Sequence, residues 1–346
     1  MHFQVHGRRS PFVSIILPTR NRAMYLEGAL RAAFAQNYPP ERFEVIVVDN
    51  ASVDDTSQLV RMLAGEVEGR INMKYIRESR AGLVFARHTG AAHAEGEILL
   101  FGDDDAIYSD NWISEIVEVY LRYPEVGAVG TKIEIQWDRD PAPWVLRHER
   151  VLGKLDYGPK VLVRHGLYIN GGSFSIRKQI LLQAKGFNPG QKGDYIIGDS
   201  ETGLCRKLAS HGIIVGWTPA ATMWHIQRAD VHGTLHDMKR RFRNNGICEA
   251  YYATFYNRRF NDVLYDIFRR PYRVLRNFFC RIRHMGLKEP CYELRLEIAY
   301  YIYYIKYLYL YRFNRAIRSE VMRTQDWEFS HSYEAPPVEF TICHLG

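Results

Sequence analysis

Three consecutive carboxylates, Asp103, Asp104 and Asp105, are the residues of this sequence best suited to chemistry. They follow the apolar run Ile98–Phe101, which predicts a strand buried on both faces of a sheet. Carboxylates crowded at the end of such a strand need a cation to neutralise them, and Mg²⁺ or Mn²⁺ prefers oxygen ligands of this kind. We therefore predict a divalent-cation site that stabilises a departing diphosphate. For an isolated triplet, a solvated acidic turn would be the alternative.

Two more polar clusters follow predicted buried strands. Thr19–Arg22 comes after the run 13–17 and Pro18, and Asp49–Ser52 comes after the run 44–48. The first cluster offers hydrogen-bond donors for a phosphate or a base, and the aspartate of the second could accept hydrogen bonds from a base or a ribose. Taken alone, each cluster would be a turn or a helix-capping loop.

These clusters need a scaffold that brings strand ends together. Strands and helices alternate with short connections up to the acidic triplet, which predicts a parallel, doubly wound sheet with its ligands beyond the carboxyl ends of the strands. Beyond the triplet, predicted strands and helices no longer alternate regularly. We predict strands at 13–17, 44–48, 73–76, 98–101 and 126–135, two short strands within 167–176, helices at 56–64, 83–94, 110–122 and 200–211, and extended chain at 215–225.

As an ordered set, the motifs of residues 13–230 resemble family 2 glycosyltransferases with the GT-A fold. The resemblance implies an α/β fold with a doubly wound mixed sheet, which combines a Rossmann-like nucleotide-binding half with an acceptor half. It also implies inverting transfer of a sugar from a nucleotide sugar, with UDP favoured, in polysaccharide or glycoconjugate biosynthesis. The motifs are Pro18–Arg22, Val47–Ser52, Ala81–Leu83 with Ala86 and Arg87, Phe101–Asp105 with Trp112, Asn170–Ser173, Gly186 with Phe187, Gly198–Glu201 before Leu204–Arg206, Pro219 and His225.

The resemblance also implies roles for single residues. Asp105 would be the principal ligand of Mn²⁺ or Mg²⁺, Asp103 would contact both ribose and metal, and His225 would lie near the metal and the diphosphate. Asp49 would hold the base. The residues implied to contact the nucleotide sugar are Pro18, Thr19, Arg20, Arg22, Asp49, Asn50, Arg80, Arg87, Asp103, Asp104, Gly171 and Gly172. Among these, Pro18, Thr19, Arg20 and Asp49 would line the nucleoside pocket, and Arg80 and Arg87 would face the diphosphate. The glycine pair would admit donor or acceptor close to the backbone or else form a bulge.

The general base is open between two acids, Asp199 and Glu201. Family members have an acidic pair before a helix, and the second acid deprotonates the acceptor hydroxyl. Alignment on Thr202 and Leu204 puts Glu201 in that position, whereas alignment on Gly198 favours Asp199, and we prefer Glu201. Acids are also favoured at a helix N-terminus for structural reasons alone.

Residues 10–236 form the predicted GT-A domain, and residues 237–346 form a basic, Tyr-rich helical C-terminal extension. Between Lys239 and Arg318 there are 18 Lys/Arg and 6 Asp/Glu, although the whole chain has a net charge of only +7. The apolar spacing of 293–313 fits one helical face, and tyrosines beside basic residues suit a membrane interface. We predict an anionic membrane surface as a partner of this extension. Packing on the domain or on another subunit is the alternative.

No run reaches the roughly 20 apolar residues that span a bilayer, and the five scattered cysteines suit a reducing compartment. The predicted location is therefore the cytoplasm, with peripheral contact at the inner face of the cell membrane. The predicted partners are a nucleotide-sugar donor and a saccharide or lipid-linked acceptor, and nucleic acid is not among them. Formation of a homo-oligomer is left open.

Two other classes of function are weighed against sugar transfer. A nucleotidyltransferase acting on sugar phosphates also combines an α/β sheet with a metal, but it usually has a Gly-rich loop where this chain has Pro18–Asn21. A dinucleotide oxidoreductase is disfavoured for the same reason. A non-catalytic nucleotide- or sugar-binding module would leave the acidic run incidental, and metal-dependent binding of UDP would distinguish it from an enzyme.

Overall fold

The computed structural model describes residues 10–192, 195–256, 260–325 and 336–342. One large mixed sheet forms the centre of the molecule, and helices cover both of its faces. The predicted α/β fold class with C-terminal helices is confirmed.

Parallel strands form the N-terminal half of the sheet, because each is an apolar run that can be buried on both faces. All seven residues of the first strand and all five of the fourth are buried. The elements are β1 Val13–Thr19, α1 Ala23–Phe34, a 3₁₀ turn Pro40–Arg42, β2 Phe43–Asp49, α2 Thr56–Val67, β3 Asn72–Arg77, α3 Leu83–His93 and β4 Ile98–Gly102. Helices α1 and α2 pack on one face of the sheet, and α3 packs on the other.

The second half of the sheet mixes strand directions. Its elements are β5 Ala106–Tyr108, α4 Trp112–Arg122, β6 Val126–Trp137, α5 Pro143–Leu146, a 3₁₀ turn Glu149–Leu152, β7 Leu162–His165, β8 Ser173–Arg177, α6 Lys178–Gln183, β9 Gln191–Lys192, β10 Tyr195–Ile196, α7 Ser200–Ser210 and β11 Ile214–Gln227. Strand β8 is antiparallel to β4 and β6, whereas β11 is parallel to β6. Strands β9 and β10 form a separate two-stranded sheet.

One of the two short strands predicted within 167–176 is absent from the described chain. Residues 173–177 form β8, but residues 167–170 are not a strand. The backbone turns there instead, since the Ser173 amide donates to the Asn170 carbonyl and the Asp103 amide donates to the Gly172 carbonyl. The glycine pair is therefore a turn against the acidic triplet.

Four helices follow β11 in the described part of the chain, and they share a core with Trp144, Val145 and Leu152. They are α8 Leu235–Phe255, α9 Phe260–Met285, α10 Lys288–Phe313 and α11 Arg315–Gln325. Tyr251, Tyr304 and Tyr311 are fully buried where α8 and α10 pack together. The two helices approach so closely that a Cβ on Gly246 would overlap the carbonyl oxygen of Tyr300. Among the described helices, none has the length and apolarity needed to cross a membrane.

A strand of the predicted extension returns to the sheet. Strand β12, Val338–Ile342, pairs antiparallel with β3 and forms one edge. The complete strand order is β12-β3-β2-β1-β4-β8-β6-β11-β5, with β7 also paired to β11. The division of the chain at residues 236 and 237 stays a prediction, and the sheet is built from both sides of it.

Candidate functional site

A cavity of about 480 Å³ opens where the carboxyl ends of β1, β2 and β4 meet. This is the edge at which ligands bind in open α/β sheets, and the volume suits a small ligand. Nine predicted site residues line it: Pro18, Thr19, Arg20, Arg22, Asn50, Asp103, Asp104, Asp105 and His225. Leu83 and Ala86, near the start of α3, also line it, as do Arg240 and Arg241 from α8.

Unusual backbone conformations lie beside the predicted site residues. Asn21, Ala51 and Ser200 have positive φ angles of 54°, 59° and 43°. Among the described non-glycine residues, only Lys185 shares this feature. A positive φ is tolerated by asparagine but costs other side chains on the order of 1 kcal/mol. The chain therefore holds strained turns after β1, after β2 and at the start of α7, where the predicted ligand contacts are.

Asp104 anchors the acidic triplet to the first strand. It is buried, and it accepts hydrogen bonds from Thr19 Oγ1 at 2.7 Å and from the Arg22 guanidinium at 3.1 Å. Burial raises the pKa of Asp104, and these two donors only partly offset that rise. The same arginine also donates to Asp105. Arg22 thus bridges two carboxylates of the triplet.

Asp105 forms the centre of a candidate metal site. The ligand atoms of Asp103, Asp105 and His225 all lie within 4.8 Å of one another. Burial alone would raise the pKa of the Asp105 carboxyl, but His225 and Arg22 hold it well below its usual value. Two carboxylates and an imidazole are a donor set that fits a divalent cation such as Mn²⁺ or Mg²⁺.

The tautomer of His225 also fits a metal ligand. Its Nδ1 lies 2.8 Å from the carbonyl oxygen of Leu152, and because a carbonyl can only accept, Nδ1 must carry a hydrogen. Nε2 then faces Asp105 Oδ1 at 3.1 Å. Burial would lower the pKa of His225, but the Asp105 carboxylate raises it above the usual value. A neutral His225 held in this way presents a lone pair on Nε2 to the site.

Asp49 lies behind the cavity wall. It is buried, and its two carboxylate oxygens accept hydrogen bonds from the Ser52 amide at 2.8 Å and the Tyr75 hydroxyl at 2.6 Å. The Tyr75 ring stacks on Phe340 of β12 at 5.2 Å between centroids. The predicted base-binding aspartate is therefore positioned by β3 and, through β3, by the sheet edge.

Asn50 and Arg80 hold the loop between β3 and α3. The Asn50 amide group donates to the carbonyls of Glu78 and Arg80, and its oxygen accepts from the Gly82 amide at 2.6 Å. Arg80 pairs with the buried Glu78 at 2.8 Å. Asn50 lines the cavity, whereas Arg80 does not, so contact of Arg80 with a diphosphate stays a prediction.

Arg87 joins the triplet to the predicted base. It is only 2% exposed and donates to the Gly171 carbonyl at 2.8 Å. Its guanidinium lies 3.5 Å from Asp103 and 3.3 Å from Glu201. The glycine pair leaves room for these side chains, since a Cβ at Gly171 would displace Arg87 and one at Gly172 would displace Asp103.

The two candidate bases have different surroundings. Asp199 is 1% exposed, and its oxygens accept from Asn188 and Arg206, each at 2.7 Å. Burial raises its pKa to about 6, although these donors act to lower it. The Glu201 side chain is 30% exposed and pairs with Arg87. Glu201 is thus the more accessible of the two acids.

Arg240 and Arg241 are site residues that the sequence did not reveal. Asp237, in the first turn of α8, accepts from Arg240 Nε at 2.9 Å and from Arg241 Nε at 2.7 Å. The buried aspartate therefore aims both arginines at the cavity. In the sequence, these arginines belong to a basic run that follows His225. We interpreted that run as the start of the C-terminal extension.

Comparison with known proteins gives a family match. The model described as glycosyl transferase family 2 matches residues 14–184. Glycosyltransferase AglE of Haloferax volcanii is 33% identical over 128 residues, which are 37% of this chain and 41% of the relative. Glucosyl-dolichyl phosphate glucuronosyltransferase of the same organism is 23% identical over 201 residues, covering 57% of this chain and 63% of the relative. The match thus spans less than two thirds of either relative.

The fold is also found among solved structures. The mannosyltransferase PcManGT from Pyrobaculum calidifontis, solved in complex with GDP-Man and Mn²⁺, aligns with a TM-score of 0.54. The alignment covers 91% of this chain and 84% of that chain, at 20% sequence identity. At this level of identity, the likeness establishes the shared fold.

Proposed function

Through residues 14–184 this chain belongs to glycosyl transferase family 2, and from that premise we propose that it transfers a sugar from a nucleotide diphosphate sugar to an acceptor hydroxyl. The observation that carries the proposal is the convergence of Asp103, Asp105 and His225 on one point of the cavity at the strand ends. That position suits the diphosphate of a donor. The alternatives of a nucleotidyltransferase and a binding module gain no comparable support.

We assign the metal site of the proposed enzyme to these three residues, with Mn²⁺ or Mg²⁺ as the ion. A divalent cation held there supplies neutralisation of the negative charge that develops on the leaving diphosphate. The protein contributes the preset His225 tautomer and the burial of Asp105, which reduce the reorganisation needed on binding. The complex of PcManGT with GDP-Man and Mn²⁺ supports this choice of donor and ion.

We propose that cationic side chains surround the diphosphate. Arg22 already lies on Asp104 and Asp105, and Arg240 and Arg241 line the other side of the cavity. Guanidinium groups bind phosphate oxygens through paired hydrogen bonds. Thr19 and Asn50 lie at the strand ends beside them and would contact the nucleoside portion.

We propose Glu201 as the general base, which gives inversion in a single displacement. A base must come within about 3 Å of the proton that it removes. Glu201 meets this requirement better than Asp199, because its side chain is 30% exposed while Asp199 is enclosed by Asn188 and Arg206. The ion pair with Arg87 fixes the direction of the Glu201 carboxylate.

The acceptor is proposed to be a saccharide or a lipid-linked saccharide. One relative is a glucosyl-dolichyl phosphate glucuronosyltransferase, a name that describes a lipid-linked acceptor for that protein. For this chain, the exposed side of Glu201 marks where an acceptor hydroxyl would enter.

Isothermal titration tests the donor site. We expect UDP or GDP to bind in the presence of Mn²⁺ and to bind at least about tenfold more weakly without it. The variant Asp105→Asn should lose the metal dependence, whereas Asp110→Asn, an exposed aspartate beyond β5, should match the wild type. Metal-independent binding in the wild type, or full metal dependence in Asp105→Asn, would contradict the proposed site. A screen of donor hydrolysis across nucleotide sugars would then identify the sugar.

A further inference from the structure

Helix α9 exposes a regular row of large apolar side chains. Tyr265, Phe268, Tyr272, Leu275 and Phe279 follow one another at spacings of three and four residues, and each is between 45% and 69% exposed. This spacing places them on one face of the helix, here called the α9 stripe. The α9 residues that pack against α10 lie on a different face of α9. The α9 stripe is therefore not part of the core.

Helix α10 carries a second row, here called the α10 stripe. Ile298, Ile302, Ile305, Tyr309 and Phe313 also follow at spacings of three and four, and their exposed fractions lie between 36% and 66%. The opposite face of α10 is packed against α8. Helix α10 is therefore apolar on two sides, although only one of them is covered.

A groove of about 250 Å³ between the two helices joins the stripes. Leu275 of the α9 stripe and Ile298 and Ile302 of the α10 stripe line it, together with Pro271 and Val274. The two rows are thus parts of one exposed apolar surface. Exposed surfaces of this extent are rare in soluble proteins unless something binds them.

The charges beside the α9 stripe identify the occupant. Arg269, Arg273 and Arg276 each stand one residue after a stripe member, as does Asp266, so this flank holds three cations and one carboxylate. Arg270 and Arg281 pair with carboxylates of α10, but among the described residues Arg273 and Arg276 have no such ion pair. A surface that accepts apolar and aromatic side chains and has negative charge at its rim is an anionic lipid bilayer.

We propose that the α9 and α10 stripes dock on an anionic lipid surface, with both helices lying along it and the flanking arginines facing the lipid headgroups. Tyrosine and arginine suit this depth because their apolar parts enter the interface while their polar ends stay hydrated. The inference does not depend on the proposed sugar transfer. It would place the enzyme where a lipid-linked acceptor is held.

Co-sedimentation of the full-length chain with vesicles tests the proposal. The probes are vesicles of phosphatidylcholine alone and vesicles that contain about a third of phosphatidylglycerol. We expect several-fold more protein on the anionic vesicles, with the bound fraction falling as salt is added. The variant Phe268→Ser/Phe279→Ser should bind at least about tenfold more weakly. The variant Arg269→Gln/Arg273→Gln/Arg276→Gln should bind about a hundredfold more weakly at low salt.

A matched control replaces exposed apolar residues far from both stripes. Met62 on α2 and Leu182 on α6 are 53% and 38% exposed, and Met62→Ser/Leu182→Ser should bind vesicles as the wild type does. Nucleotide titration of each variant shows whether the donor site is intact, so a loss of vesicle binding cannot be confused with a failure of the proposed function. Absence of wild-type binding, equal binding to neutral vesicles, or unchanged binding of the Phe variant would overturn the proposal. The proposal would also be overturned if the wild-type chain self-associated without binding vesicles and the Phe variant did not self-associate. The surface would then join two copies of the chain.

Discussion

Asp199 and Glu201 are two positions apart, yet only one has a solvent-exposed carboxylate. Ser200, between them, has a φ angle of +43° and is the first residue of α7, while Asp199 precedes it at the N-cap position. The turn directs Asp199 toward Asn188 and Arg206 and leaves Glu201 beside Arg87. The strained backbone at Ser200 thus stands between two acids that have different surroundings.

The variant Glu201→Gln tests the proposed base. The amide keeps the size of the side chain but cannot accept a proton, so turnover should fall by about 10²- to 10⁴-fold. Binding of nucleotide with Mn²⁺ should be unchanged. Turnover is measured with the donor that the hydrolysis screen identifies, and nucleotide affinity is measured by titration of UDP. Full activity in Glu201→Gln with loss of activity in a folded Asp199→Asn would move the base to Asp199.

The raised pKa of Asp199 predicts a pH-dependent cost to stability. Its folded-state pKa of about 6 lies above the ordinary value of 3.8, so the folded protein binds the proton more tightly than the unfolded chain. The contribution of Asp199 to stability is therefore largest below about pH 4 and declines as pH rises through about 6, by up to about 3 kcal/mol. The difference in unfolding free energy between wild type and Asp199→Asn should shrink or reverse across this window. Urea unfolding of the wild type and Asp199→Asn at several pH values measures it, and a difference that stays constant from about pH 4 to 8 would contradict the prediction.

The strand-end residues of the candidate site could be predicted from the sequence pattern, whereas His225 could not. Thr19 and the acidic triplet could be placed together from sequence, because parallel strand ends share one sheet edge. Their actual bonds, such as Thr19 to Asp104, depend on side-chain directions that no local pattern specifies. His225 was identified only through the family resemblance. Its ring is held by the backbone carbonyl of Leu152, and a backbone partner cannot be recognised from residue types.

At the scale of elements, α8 connects the C-terminal helices to the cavity. Its first turn carries Asp237, Arg240 and Arg241, while its middle packs on α10 through Gly246. A basic run in a helix usually forms a solvated face, and no sequence pattern indicated that two arginines of this helix line the cavity. The docking is set by contacts between α8 and α10, which are distant in sequence.

The variants Arg240→Ala and Arg241→Ala test the contribution of α8 to donor binding. Removing a guanidinium that contacts a diphosphate should weaken UDP binding by about tenfold for each variant, while uridine, which lacks phosphates, should bind as before. Titration of both ligands measures the two effects. Lys239→Ala is the matched control, because Lys239 is exposed on the same turn and does not line the cavity. Equal affinities for UDP in all three variants and the wild type would contradict a role for α8.

Strands and helices were easier to predict in the first half of the chain than in the second. Continuous apolar runs identified β1, β2 and β4, since burial on both faces demands such runs. Residues 167–170 were predicted as a strand that ends at Gly171 and Gly172, but they are not a strand. The carbonyl of Tyr168 accepts from the Tyr157 hydroxyl, and that of Ile169 accepts from the Cys205 thiol. The returning strand β12 was not foreseen, as its partner β3 lies far away in the sequence.

At the scale of the whole molecule, the sheet edge and the proposed nucleotide site are linked. Phe340 of β12 stacks on Tyr75, and the Tyr75 hydroxyl bonds Asp49. The C-terminal residues therefore support the residue predicted to hold the base. Through the helices and β12, the predicted extension is a structural part of the domain proposed to bind the donor.

The variant Phe340→Ala tests this link. Loss of the stacked ring should lower the unfolding free energy by about 1–3 kcal/mol and weaken nucleotide binding as Tyr75 gains freedom. Phe313→Ala, whose ring is 66% exposed, is the matched control and should change neither quantity. Denaturant unfolding and UDP titration give the two readouts. A destabilised Phe340→Ala with undiminished UDP affinity would show that the edge stabilises the sheet without reaching the site.

The pairing of β12 with β3 also has a consequence for how the chain folds. Val338 and Ile76 are register partners, so the whole acceptor half and all four C-terminal helices lie within the loop that this pair closes. Contacts between such distant segments form slowly, because the entropy of closing the loop is lost before the strand pairing compensates for it. Until β12 arrives, β3 is an open edge next to Asp49. Refolding should therefore pass through a species with an assembled parallel sheet and an uncovered edge, which is the stage at which aggregation competes with folding.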